Sequence, residues 1–376
     1  MKILFHLNSM GRGGAERVVS ILSGAFSQKG HEVVVATEWF SEREYPLADG
    51  VKRLMVGIEE QEEEKNRILK IVLRHTRLRK CIKAERPDLV ISFCVKSNFR
   101  AAISMLGMKI PLLVSVRNDP KIDYAPHKLA TAIMEKKASG CVFQTKEAME
   151  FFSPKLQKKS AIIYNPLNAE FIKECERLYQ EQPKDHEGRI IRRKEIVSVG
   201  RITEQKNHEL LIKAFAGIAV KYPEYSCRIY GEVENRELYQ KLTNLVREYK
   251  LEQQVYFMPP SNQIQKEIVN AGLFVLSSDF EGMPNALLEA MTLGIPCVST
   301  DCPCGGPQML IESYQTGILV PVGDEDALMQ AMDTILSNPR QAEEMGAAAR
   351  EIRTRVEEDR IVAEWFALID SIIRCK

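Results

Sequence analysis

The sequence predicts an α/β protein built from two successive parallel-sheet units. Three observations carry that prediction. Short apolar strands alternate with amphipathic segments, the alternation stops and restarts across a charge-rich stretch, and each half opens with a strand running into a glycine loop. In the first half the strands read KILFHL, HEVVVAT, DLVISFC, PLLVSV, GCVFQT and AIIYN, each apolar and bounded by turn residues, as parallel strands covered on both faces should be. After NPLNAEF comes QEQPKDHEGRIIRRK, polar and with little to bury, so the boundary falls there. This gives an N-terminal domain over 1–165, a linker over 166–194 and a second domain over 195–356. The second half restarts with EIVSVG, SCRIYG, VYFMP, GLFVLSS, PCVSTD and TGILVP. The closing segment, about 357–376, carries Ile361, Val362, Trp365, Phe366, Ile369, Ile372 and Ile373 at helical spacing, so it is a helix that must pack on something.

Composition bounds the function. At 376 residues and 45% apolar content the chain can bury a large core, and no apolar run approaches the ~20 residues that span a bilayer. The N-terminus MKILFHLNSMG is too short and too soon polar for a secretory h-region, which points to a cytoplasmic protein. Nine cysteines without a repeating frame read as reduced thiols. Cys302 and Cys304 in DCPCGGP lack a matching pair, and no metal site is expected. The net charge of +1 hides an asymmetry: residues 1–165 hold 28 Lys and Arg against 18 Asp and Glu, the remainder 24 against 33. A basic half suits an anionic membrane surface. Nucleic acid is excluded as a partner, because no recognition motif and no aromatic residues accompany the basic clusters.

The glycine loops come next. NSMGRGGAERVVS sets Gly11, Gly13 and Gly14 ahead of an amphipathic helix whose first amides can receive an anion. A dinucleotide-binding reading would give Glu38, at the end of the second strand, a ribose. It fits badly, since Glu16 stands where the third glycine of that fingerprint belongs. In the second half, VSVGRITEQKNHELL lets the chain turn at Gly200 and sets Arg201 and Lys206 on the loop after the strand, two cations that suit a pyrophosphate leaving group.

Further on, DFEGMPNALLEAMTLGIP places Glu281 just before a helix expected over Pro284–Thr292, with Gly294 at its C-terminal cap. The amides of Asn285, Ala286 and Leu287 form an anion site, and Glu289 lies two turns deeper. Eight residues at helical rise separate the carboxylates by roughly 12 Å, beyond the ~5 to 9.5 Å of a glycosidase pair. The order carboxylate, anion site, carboxylate matches the sugar hydroxyls, pyrophosphate and ribose of a nucleotide sugar.

GGAER, VGRITEQKN, EGMPNALLEAMTLGIPCVSTD and TGILVPVGD together resemble the retaining GT-B glycosyltransferases of family 4, over nearly the whole chain. The resemblance implies two Rossmann-like domains facing a cleft, the C-terminal helix crossing back to the N-terminal, acceptor-side domain. It implies a UDP-sugar donor and no cofactor, with Glu281 on the sugar hydroxyls and Glu289 on the ribose. Arg201 and Lys206 would stabilise the departing diphosphate in place of a metal, so that replacing either lowers turnover and leaves folding intact. Gly13, Gly14 and Gly200, with the amides of Asn285, Ala286 and Leu287, would complete the phosphate site. The acceptor implied is a glycan, polyprenyl-diphosphate-linked, in polysaccharide assembly on the cytoplasmic face of a membrane. Two positions depart from the family: Arg117 and Asn118 stand where many relatives have a histidine, and Glu232 and Val233 where a second glycine is frequent. A non-hydrolysing UDP-sugar epimerase and a nucleotide-sugar-binding protein without turnover are the alternatives. Finally, KNRILKIVLRHTRLRKCIK over 65–83 sets Ile68, Ile71, Val72, Leu78 and Ile82 on one stripe and Arg67, Lys70, Arg74 and Arg77 on another, a basic rail for a lipid diphosphate or a solvated face.

Overall fold

The computed structural model describes residues 1–374. It divides into two compact units: Met1–Leu167 joined by the segment from Val356 onward, and Asn168–Arg355.

The first unit holds a seven-stranded sheet of β1 (Lys2–Leu7), β2 (Glu32–Thr37), β3 (Lys52–Met55), β4 (Leu89–Phe93), β5 (Leu112–Ser115), β6 (Gly140–Phe143) and β7 (Ala161–Ile162). Its spatial order is β3-β2-β1-β4-β5-β6-β7, all neighbours parallel. Strands β4, β5 and β6 are buried at every residue, because helices cover both faces. The edge strand β3 escapes the sequence reading: Lys52 and Arg53 begin it and none of its residues is fully buried. The C-terminal helix Glu358–Arg374 belongs to this unit, where the fully buried Trp365 stacks on Phe93 at 5.7 Å between centroids and Phe366 meets Phe26 at 4.5 Å. Burial of Trp365 contributes about 2–3 kcal/mol. The last two positions of the expected helix, 375 and 376, lie outside the described residues.

The second unit holds a six-stranded parallel sheet of β8 (Arg193–Val199), β9 (Ser226–Tyr230), β10 (Val255–Met258), β11 (Ala271–Leu276), β12 (Cys297–Thr300) and β13 (Ile318–Val320), ordered β10-β9-β8-β11-β12-β13. The stretch 166–194, expected as a linker, is in part a structural element of this unit. Its helix Ala169–Gln180 is capped by the Asn168 side chain on the Glu170 amide, buries Cys175, and pairs Glu176 with Arg350 and Arg353. Charged residues between Phe171, Ile172, Cys175 and Tyr179 mask its one apolar face in the sequence. No described helix is long and apolar enough to cross a membrane.

Candidate active site

The carboxyl edge of the second sheet gathers most of the residues singled out above, as open α/β sheets tend to do with their ligand-binding groups. The site begins where β8 ends. Gly200 follows, its amide donating to the Tyr230 carbonyl at 2.9 Å. The sequence suggests a tight turn there, but Gly200 is not in the left-handed region. Its lack of a side chain serves another purpose: a Cβ would stand 3.0–3.3 Å from three carbons of the Lys206 stem, so glycine makes room for that side chain. Gly231 is tighter, since a Cβ there would lie 1.9 Å from the Gly200 carbonyl oxygen. The two loops can touch only with glycine at 231.

Lys206 closes a short 3-10 turn, Glu204–Lys206, and its Nζ lies 2.5 Å from Glu281 Oε1. The Ser278 hydroxyl donates to the same oxygen at 2.7 Å. Both charged side chains are shielded, with 14% and 8% of their surface exposed. The turn is tied to the 277–281 loop by further bonds: Asn207 Nδ2 to Asp279 Oδ1 at 2.7 Å, Gln205 Nε2 to the Phe280 carbonyl at 2.9 Å, and Ser277 Oγ to the Lys206 carbonyl at 3.0 Å. Thr300, at the end of β12, holds the Ser278 carbonyl from behind at 2.6 Å. Lys206 and Glu281, 75 residues apart, are thus locked together by the loops that carry them.

Arg201 behaves differently. Its guanidinium pairs with Glu234 at 2.8 Å, and both side chains are nearly half exposed, so the contact is easily exchanged for another anion. His208, just past Lys206, was missed in the sequence. It is buried, neither ring nitrogen has a hydrogen-bond partner, and burial pushes its pKa down to about 4, the Lys206 charge adding to the effect. The signal was its place as the first helical residue after QKN, an unusual site for a buried side chain.

The helix after Glu281 runs Asn285–Thr292, with Pro284 at the N-cap rather than in the first turn and no side-chain cap. Its first amides have no intrahelical acceptor, and those of Asn285, Ala286 and Leu287 are the ones concerned. Gly294 has φ +73° as its C-terminal role requires. Glu289 is not a surface glutamate: it is 4% exposed, against 6% for Glu281. Gly306 brings the 305–306 loop onto this turn, since a Cβ there would lie 1.6 Å from the Gly282 carbonyl oxygen.

The first unit holds Gly13 and Gly14 at the start of the helix Gly14–Gln28, Gly13 as N-cap with φ −107°. A Cβ at Gly13 would meet the Glu16 carboxylate at 2.2 Å, the movable end of a long side chain. Glu38 offers nothing to a ribose. Its side chain is fully buried between Arg74, at 3.1 Å, and Arg100, at 2.9 Å. The basic rail is likewise mostly engaged: Lys70 pairs with Glu63, Arg74 with Glu38, and Arg77 with Glu59 and Glu62. The apolar stripe of the helix Arg67–Glu85 also splits. Leu78 and Ile82 are buried, whereas Ile68, Ile71 and Val72 are exposed, because the N-terminal half of the helix extends past the core. Among the described residues no group of three or more His, Cys, Asp or Glu is placed to hold a metal ion.

Comparison with known proteins agrees with this geometry. Residues 12–171 match the profile described as Glycosyltransferase Family 4, and residues 181–352 the profile described as Glycosyl transferases group 1. An uncharacterized glycosyltransferase of Methanocaldococcus jannaschii is 30% identical over 66% of this chain and 65% of its own length. A Campylobacter jejuni protein named N-acetylgalactosamine-N,N'-diacetylbacillosaminyl-diphospho-undecaprenol 4-alpha-N-acetylgalactosaminyltransferase is 25% identical over 90% of this chain and 91% of its own. An uncharacterized glycosyltransferase of Haemophilus influenzae is matched over 49% of its length, so the chain spans 49–65% of the length of these two curated relatives. The crystal structure of Anabaena HepE in complex with UDP-glucose superposes with a TM-score of 0.78 at 17% identity, covering 99% of this chain and 100% of that one. Two parallel-sheet units of this topology, with both profiles matched in order, identify the chain as a member of the GT-B, family 4-like glycosyltransferases.

Proposed function

We propose that this protein is a retaining, metal-independent glycosyltransferase that moves a hexose or N-acetylhexosamine from a UDP-sugar to a glycan acceptor carried on a polyprenyl diphosphate. The observation that carries the reading is the Lys206–Glu281 pair beside the start of the helix Asn285–Thr292. In that arrangement a cation, a carboxylate and the N-terminal end of a helix face one edge of the sheet. Breaking an anomeric C–O bond puts charge on the diphosphate, and a placed cation with amides stabilises charge that appears in the transition state. Lys206 exchanges Glu281 for the departing phosphate, which frees Glu281 for the sugar hydroxyls. Arg201 exchanges Glu234 in the same way, and Glu289 binds the ribose. Gly200 keeps its loop low enough for phosphates to approach, and Gly13 and Gly14 do the same for the loop of the first unit. The lipid-linked acceptor named for the Campylobacter relative supports the acceptor class, and the HepE complex supports a uridine donor.

The cytoplasmic face of a membrane is the place where such an acceptor is built. Ile68 and Val72, exposed at 75% and 52% on the helix that Arg67 begins, form a surface of the first unit suited to lipid. Arg74 and Arg77 are poor probes of that contact, since each already holds a glutamate. The functional reading is tested by a thermal-shift panel of nucleotide sugars followed by transfer to a polyprenyl-diphosphate glycan, with the anomer assigned by NMR. Stabilisation by UDP-sugars with an α-linked product from an α-linked donor is expected. An inverted product, or no shift with any nucleotide sugar, refutes it.

A further inference from the structure

At the carboxyl edge of the first sheet, four neighbouring strands converge on one guanidinium. Arg117 lies two residues past β5, with Cζ 5.2 Å from the centre of the Phe93 ring that ends β4. Nη1 donates to Ser115 Oγ at 3.3 Å and Nη2 to Asn165 Oδ1 at 2.5 Å. That amide oxygen also accepts from Gln144 Nε2 at 2.8 Å, which fixes Asn165 from the end of β6. Ser115, Gln144 and Asn165 are all buried, while Arg117 itself keeps partial access to solvent.

Every group that Arg117 touches is neutral, and among the described residues no carboxylate comes within ion-pair distance of it. Several shielded arginines are treated otherwise: Arg53 meets Glu44, Arg74 and Arg100 meet Glu38, Arg192 meets Glu343 and Arg350 meets Glu176, while Arg79 meets two backbone carbonyls, those of Ser104 and Leu106. The Glu16 carboxylate acts on it through space without pairing with it; a guanidinium taken out of water without a direct ion pair is costly, and three of its five N–H groups have no acceptor in this cluster. The cost registers in its acidity, burial pushing the pKa down to about 10. Such a group, held by an ordered amide at a ligand-binding edge, is poised for planar bidentate recognition of an oxyanion.

We propose that Arg117 is the receptor for an anionic group on the acceptor, a phosphate or carboxylate whose two oxygens complete its hydrogen bonding. The proposal rests on the glycosyltransferase reading for the word acceptor, and on the Arg117 cluster for the site. It predicts a second anion site distinct from the one that holds UDP.

The test uses the full chain held in saturating UDP and titrated with inorganic pyrophosphate or with glucuronate. Arg117→Gln should weaken binding of the probe at least tenfold and leave UDP affinity within twofold. Asn165→Asp supplies the missing carboxylate in place, so it should abolish probe binding equally while the thermal midpoint holds or rises. That combination is not expected of a merely structural role, and it serves if Arg117→Gln does not fold. Binding of pyrophosphate alone assigns a diphosphate acceptor, and of glucuronate alone a carboxylated sugar. Equal probe affinity in parent and variants, no probe binding at all, or a lowered midpoint in Asn165→Asp overturns the proposal. Failure of UDP to bind overturns the donor reading instead, and the same titrations are then read without UDP.

Discussion

Replacing Lys206 by Ala should destabilise the protein as well as slow it. The pair with Glu281 is 2.5 Å long and leaves 14% and 8% of the two side chains exposed. Removing one partner of a buried pair typically costs about 3–5 kcal/mol, because the other charge is left behind. Ser278 stays hydrogen bonded to Glu281, so the lower end applies and about 3 kcal/mol is expected. For a cooperative unit of this size that is roughly 6–12 °C in the melting midpoint. The assay is a double-mutant cycle of K206A, E281Q and the double variant, followed by denaturant unfolding. The double variant should recover about 2 kcal/mol of the summed losses. UDP at 100 times its Kd adds about 2.7 kcal/mol to the parent, and K206A should need at least tenfold more UDP for the same gain. If the two single losses add within about 0.5 kcal/mol, or K206A melts with the parent, the pair is not the unit described and the exchange of partners by Lys206 falls with it.

Three further outcomes are expected. Arg201→Ala should lower turnover roughly 100-fold, as loss of one placed electrostatic group does, yet change stability by less than about 1 kcal/mol because its pair with Glu234 is half exposed; near-parental turnover would remove Arg201 from the mechanism. Transfer should persist in EDTA, and complete loss restored by magnesium or manganese would contradict the roles given to Glu281 and Glu289. His208 and His6 are pushed down to about 4 and about 3 by burial, so as pH falls below about 6.5 the unfolded chain takes up protons that the folded chain refuses. Stability is therefore complete above that pH and drains away towards 4, with up to about 3 kcal/mol due to His208, and His208→Leu should flatten the curve of unfolding free energy against pH by one proton's slope.

The strands of both sheets were legible because parallel strands covered on both faces leave continuous apolar runs, as in LVISF and AGLFVL. Strand β3 was not, since an edge strand carrying Lys52 and Arg53 looks like a loop. The helix Ala169–Gln180 hid for a related reason: charged residues lie between its apolar positions, and its pairs with Arg350 and Arg353 add no apolar trace. At the candidate site, residue types and order could be read but partners could not. Lys206 and Glu281 are 75 positions apart, and nothing local announces that they touch. The same blindness made Arg67, Lys70, Arg74 and Arg77 look like a rail, when three of them answer glutamates from other parts of the chain. Arg117 could be singled out as a departure from relatives, but its lack of an ion-pair partner is visible only in space.

The place of the helix Glu358–Arg374 sets a timetable for biosynthesis. Residues 168–355 form a contiguous stretch and can assemble as soon as they leave the ribosome, whereas the first unit waits for the segment from Val356 onward. Until then Phe26 and Phe93 face water without Phe366 and Trp365 against them, an exposed aromatic surface on a nascent chain that chaperones would hold. Although it is translated first, the N-terminal half is therefore finished last. A premature stop near residue 355 would spare the fold of the later half and leave the earlier one sticky, and a permuted gene that starts at Val356 would let both halves mature in the order they are made.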